Sequence, residues 1–141
     1  NVFSVARSRG YSTAAFFSKS KFHPLQRPGT LDYSQAPGGW FGPWSSERTV
    51  TDIEAHLEMA RPNVLFVHFT DPDRAGHDDG WMSEEYGRAV EATDAAMARL
   101  LAAAERAYGA TNFSVIVTAD HGGHDRDHGS DTVARAHADC S

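Results

Sequence analysis

Val64-Leu65-Phe66-Val67-His68-Phe69 runs straight into Thr70-Asp71-Pro72-Asp73-Arg74-Ala75-Gly76-His77-Asp78-Asp79-Gly80. A short β-rich apolar run that empties into a polar, glycine-containing loop reads as a strand ending at a site. The same grammar returns further along. Ser114-Val115-Ile116-Val117-Thr118 reads as a second, buried strand, and it leads into Asp120-His121-Gly122-Gly123-His124-Asp125-Arg126-Asp127-His128-Gly129. Between the two lies one long helical pattern, from 83 to about 108. Ser83 suits an N-cap, Glu84 and Glu85 suit the first turn, and Gly109 suits the stop. Tyr86, Ala89, Val90, Thr93, Met97, Leu100, Leu101 and Ala104 recur at helical spacing.

Strand, helix, strand of this length is a βαβ unit, which is right-handed and yields parallel strands. Neither apolar run alternates, as expected where helices cover both faces of a sheet. The fold class is therefore α/β, a predominantly parallel sheet flanked by helices. Parallel neighbours end on one edge, so the 70–80 loop and the 120–129 loop should face each other outside the carboxyl ends of their strands, where open α/β sheets place sites.

The upstream chain extends the pattern. Residues 2–9 read as a short helix closed by Gly10, and 12–17 as a short strand. Residues 18 to about 45 are irregular, rich in proline and glycine, with Phe22, Tyr33, Trp40, Phe41 and Trp44 suggesting an insertion that packs as a lid or wall. Ser45 or Ser46 opens another helix with Val50, Ile53, Leu57 and Ala60 on one face, and Arg61-Pro62 closes it. The whole of 1–141 reads as a single, partial α/β domain. It starts at Asn1 rather than Met and ends shortly after the dense loop, which reads as a piece of a longer protein.

Composition excludes several classes. Thirteen Lys and Arg stand against 19 Asp and Glu, a net charge of −6, which argues against duplex nucleic acid as a partner. No apolar run is long enough to cross a membrane. One cysteine, Cys140, excludes a disulfide framework and a thiolate zinc site.

Three imidazoles and three carboxylates fall within the nine residues 120–128, and carboxylate with imidazole is a ligand set for zinc and similar divalent ions. Asp73 and His77, three residues apart in between, lie on one side of a turn-like loop or of a first helical turn. Asp120 and His121 fit a strand end kinking into Gly122-Gly123, and His128 lies where it could swing back. Five ligands exceed one tetrahedral zinc but suit two ions, and two ions about 4 Å apart are an apparatus for phosphate-ester hydrolysis.

Pro72-Asp73-x-x-Gly76-His77, then a long helix, a strand and Thr118-Ala119-Asp120-His121-Gly122, resembles the alkaline phosphatase superfamily, in its type I phosphodiesterase/nucleotide pyrophosphatase branch. The resemblance implies an alkaline-phosphatase-like core, incomplete here, and a two-metal centre of Zn2+, with Mn2+ as the alternative. Asp73 and His77 would ligate one zinc and Asp120 and His121 the other. The third ligand of the first zinc would be His128, which precedes Gly129, with His124 as the runner-up. The family's Thr or Ser nucleophile would precede Asn1, and no residue here stands in its place, so the chain alone is expected to be weak or inactive. A small phosphorylated substrate, such as a nucleotide, and a place outside the cytoplasm are further implications. The sulfatase and phosphomutase branches of the superfamily are alternatives, as are an inactive metal-binding remnant and a metal-free α/β module.

Other polar residues take blander readings. Asp125, Asp127 and Asp131 resemble part of a calcium loop, but the rest of that pattern is missing, so they read as supporting or solvated groups. His68, inside a strand, reads as a core histidine. Lys19, Lys21 and His23 read as a solvated basic loop, with substrate contact by Lys19 and Lys21 as the sharper alternative. Asp94 reads as an exposed or locally bonded helix residue. His56 and His137 are given no role.

Overall fold

A computed structural model describes residues 1–38 and 42–128. Its sheet has three strands, β1 (Thr13–Phe17), β2 (Tyr33–Gln35) and β3 (Val64–His68), in the order β2-β1-β3 and all parallel. Thr13 to Phe17 pair with Val64 to His68 one for one, so β1 and β3 end together. The central strand is buried along its whole length, which is why its run Thr-Ala-Ala-Phe-Phe shows no alternation. The α/β class with a parallel sheet is thus as expected.

Helices α1 (Val2–Ser8), α2 (Ser46–Met59), α3 (Asp71–Asp79) and α4 (Glu84–Tyr108) complete the fold. Phe16 and Ala14 on one sheet face meet Val50, Ile53 and Leu57 of α2 and Ala96, Leu100 and Ala103 of α4. On the other face Phe66 takes an edge contact from Phe3 of α1 at 6.0 Å, and Phe22 stacks on Phe17 at 5.0 Å. The first face is the thicker core, and burying one such aliphatic or aromatic side chain is worth about 1.5–3 kcal/mol.

The caps follow local chemistry. Ser45 Oγ accepts from Arg48 N and Ser83 Oγ accepts from Tyr86 N, each closing a helix start. Gly109 (φ 85°) ends α4 in a conformation that suits glycine. The expected α2 face holds at Val50, Ile53 and Leu57, but Ala60 is the exposed C-cap. On α4 the buried stripe runs through Ala96, Leu100, Ala103 and Ala104, while Val90 is exposed. Alanines on a long helix carry too little contrast for periodicity to choose among them.

Three expectations need correction. The segment after β3, read as a polar loop or a first helical turn, is a full helix, α3. Pro72 sits in its first turn with Asp71 and Asp73, favourable for the fixed φ of proline and for the positive helix start. Only Gly76 is buried on it, so no apolar stripe betrays the helix. Residues 18–45, expected to be irregular throughout, contain a short 3-10 helix, Ser20–Leu25, and β2. Of their aromatics, Phe22 packs on Phe17 and His68, and Tyr33 on Phe16 and His56. Trp40 and Phe41 lie outside the described residues. The third correction is the largest. Ser114 to Thr118 form no strand, and Val115, Ile116 and Val117 are 49, 91 and 69% exposed. An apolar run reports affinity for a core, but a ladder also needs a partner edge, and no partner pairs with it among the described residues.

Candidate metal centre

β3 ends at His68, and only Phe69 and Thr70 separate it from α3, so the first turn of α3 stands at the carboxyl edge of the sheet. Helical spacing then sets Asp73 and His77 one turn apart on one face. His77 Nε2 lies 3.6 Å from Asp73 Oδ1. From the other segment, His128 Nε2 lies 3.3 Å from Asp73 Oδ1 and 2.6 Å from His77 Nε2. One ligand atom from each of Asp73, His77 and His128 falls within 4.8 Å of the others. The two polar segments thus meet, although not by way of paired strands.

Hydrogen bonds orient the trio. His77 Nδ1 faces the Arg126 carbonyl at 2.8 Å. A carbonyl only accepts, so Nδ1 donates there, and Nε2 is the ring nitrogen that faces Asp73 and His128. The His128 backbone N–H donates to Asp127 Oδ1 at 2.7 Å. Asp73 divides its oxygens: Oδ1 faces the imidazoles and Oδ2 pairs with Lys19 Nζ. Burial pushes the Asp73 carboxyl up, but the Lys19 ammonium, the His128 hydrogen bond and His77 outweigh it and hold the group below the usual carboxylate range.

The trio fits a divalent ion by chemistry and nearly by size. Ligands on a tetrahedral zinc are roughly 3.3 Å apart, given Zn–N of about 2.0–2.1 Å. The two contacts to Asp73, at 3.3 and 3.6 Å, already match. The imidazole pair, at 2.6 Å, would have to open by roughly 0.7 Å.

The other expected residues are placed differently. Asp120 is largely exposed and lies 3.5 Å from His121 Nε2. It is not in the trio, whereas the His121 ring lies 3.9 Å from that of His128. His124, the runner-up ligand, pairs instead with Asp125 at 2.9 Å, because a tight turn bridges 124 and 127 through the backbone. Lys21 lies over Phe22, 5.6 Å from its centroid. Asp127 supports His128, as above, and Asp94 is exposed. Asp131, His137 and Cys140 lie outside the described residues.

At this edge one residue was read too blandly and another, Trp81, was not singled out. His68 is no simple core histidine. Its ring lies 4.4 Å from that of Phe22, its Nδ1 is buried with no hydrogen-bond partner among the described residues, and its pKa is pushed down to about 4. Burial is the main cause, Lys21 and Lys19 add to it, and Asp120 and Asp73 oppose it. Its position at the last residue of β3 was the available signal. Trp81, just beyond α3, stands edge-on to His77 at 4.9 Å and to His128 at 5.9 Å. His56, given no role, is buried against Tyr33 and Phe16, and burial pushes its pKa down. A concavity of about 700 Å³ lies elsewhere, between α2, α3 and α4. Its guanidinium groups at Arg74, Arg88 and Arg99 are already paired with Asp71, with Glu84 and Glu85, and with Glu54, so it offers an anion little.

Comparison with known proteins places the chain in a family and a fold. The family model described as type I phosphodiesterase / nucleotide pyrophosphatase matches residues 2–137. No curated protein sequence matches the chain. Among solved structures, murine ectonucleotide pyrophosphatase / phosphodiesterase 5, an inactive variant in complex with AMP, matches with a TM-score of 0.59 and 21% identity. That match covers 79% of this chain and 29% of the murine one. At such identity the likeness speaks for the fold.

Proposed function

The chain belongs to the type I phosphodiesterase/nucleotide pyrophosphatase family, and from that premise we propose that it contributes a metal-binding part of a site for hydrolysing phosphodiesters or nucleotide pyrophosphates. The observation that carries this reading is the convergence of Asp73, His77 and His128 at the carboxyl edge of the sheet. These three would hold one divalent ion. Zinc suits two imidazoles and a carboxylate best, with Mn2+ as the alternative. Asp120 and His121 would serve a second ion. Such ions, when bound, supply Lewis-acid stabilisation of phosphoryl oxygens and an activated nucleophile.

The chain's own residues prepare that site. The Arg126 carbonyl engages His77 Nδ1 and leaves Nε2 as the nitrogen to meet an ion. Lys19 holds Asp73 ionised and, with Lys21, would face an anionic substrate. A nucleotide is the proposed ligand class, supported by the AMP bound to the murine relative. No residue of this chain is assigned the nucleophile's role, so the chain alone is proposed to turn over weakly.

Calorimetric titration with Zn2+ and then AMP tests the reading. Zinc should bind saturably, its affinity should fall at least about 100-fold in Asp73→Ala/His77→Ala, and AMP should bind only with zinc present. Zinc uptake that is undetectable, or unchanged in the double variant, would overturn it.

A further inference from the structure

Two glycines flank the ligands in a way their conformations do not explain. Gly76 precedes His77 on α3, and Gly123 lies between His121 and His128. Neither has a positive φ. A Cβ on Gly76 would stand 2.7 Å from Trp81 Cδ2 and Cε2, and one on Gly123 would overlap the same two ring carbons. Two backbones from different parts of the chain thus converge on one indole, at a distance that only glycine permits.

The rest of Trp81 is tied to the same two segments. Its backbone N–H donates to the Asp125 carbonyl at 2.7 Å. Its ring presents to His77 and to His128 at interplanar angles of 87°, the edge-to-face arrangement that aromatic quadrupoles favour.

We propose that Trp81 is a positioning residue: its indole is a wedge that sets the separation of α3 from the 121–128 segment and so holds the His77 and His128 rings around Asp73. This rests on the metal reading above. His128 comes from an exposed stretch without regular structure, and ordering such a stretch on binding an ion costs conformational entropy. An aromatic ring locked between two backbones orders it beforehand.

Co2+ titration of the 141-residue chain, followed by visible absorption with far-UV circular dichroism as the check on folding, reads the effect. Trp81→Ala should weaken Co2+ binding about tenfold and alter the absorption envelope, because the ligand geometry loosens. Trp81→Phe, which keeps a flat ring, should recover most of the affinity. Gly123→Ala, which changes no ligand and not the tryptophan, should weaken binding in the same direction. Co2+ affinity of folded Trp81→Ala within twofold of the parent chain overturns the proposal, as does unchanged affinity in folded Gly123→Ala. Proton NMR of the metal-free chain is the independent arm. The Gly76 and Gly123 Hα signals should be displaced by the indole ring current and return toward ordinary positions in Trp81→Ala. If the parent chain takes up no Co2+, the metal reading fails alone, and these two signals still decide whether the wedge exists: undisplaced, they overturn it.

Discussion

The segments around β3 and around residues 114–118 are written almost alike and are built differently. Each is a short apolar run followed by aspartate, glycine and histidine. Around β3 the run is a ladder strand, and Asp73 and His77 after it stand on a helix with fixed phase. Around 114–118 the run is exposed and forms no strand, and the histidine after it reaches the site through a turn held by Arg126, Asp127 and Trp81. One half of the trio is placed by backbone regularity, the other by a few side-chain and loop contacts. The lesson is that a ligand motif fixes the chemistry on offer, while the elements around it decide how firmly it is held.

Hydrogen exchange should show this contrast most strongly. Amides of Ala14 to Phe16, in the central strand, should be protected on the order of 10³-fold or more over those of Val115 to Val117. Comparable protection in the two runs would break the comparison, because it would mean that 114–118 is paired in solution. Truncation is the next largest effect. Ile53→Ala should cost about 3 kcal/mol in urea unfolding, since Ile53 is fully buried. Ile116→Ala should cost under about 0.5 kcal/mol, since Ile116 is 91% exposed. A cost above about 2 kcal/mol at Ile116 would count against the exposed placement.

The smallest effect sharpens the β3 side. His68 has a folded pKa of about 4 against an ordinary 6.5. The folded state therefore binds the proton less readily, so the group's contribution to stability is complete above pH 6.5. It is lost as the pH falls from 6.5 toward 4. His68 is only part-buried, so solvent screening reduces the effect to on the order of 1 kcal/mol. His68→Leu should flatten stability between pH 6.5 and 4 by that amount in denaturant titrations. A slope equal to that of the parent chain would refute the assignment.

What could be read in the chain was what local chemistry decides. Ser45 and Ser83 announced their helices, Gly109 ended one, and residues 12–17 read as a short strand. The chemistry of Asp73, His77 and His128 was equally plain as residue types, and the structure brings the three together. The helix at 71–79 was hidden because it buries a glycine rather than an apolar stripe. The state of 114–118 was hidden because strand pairing is decided by distant partners. Trp81 was silent for a third reason: its part depends on Gly76 and Gly123 at once, and an indole has no motif until the backbones that touch it are known.

Val115 to Val117 have one more consequence, and it is colloidal. An exposed apolar stretch that pairs with no strand among the described residues is the kind of surface through which chains meet edge to edge. At high concentration this stretch, which adds nothing to the core, would govern how the molecules behave toward one another. Asp120, Asp125 and Asp127 follow it closely and lie exposed. Chains stacked in register through 114–118 would bring those like charges face to face, and that repulsion is a built-in brake on self-association.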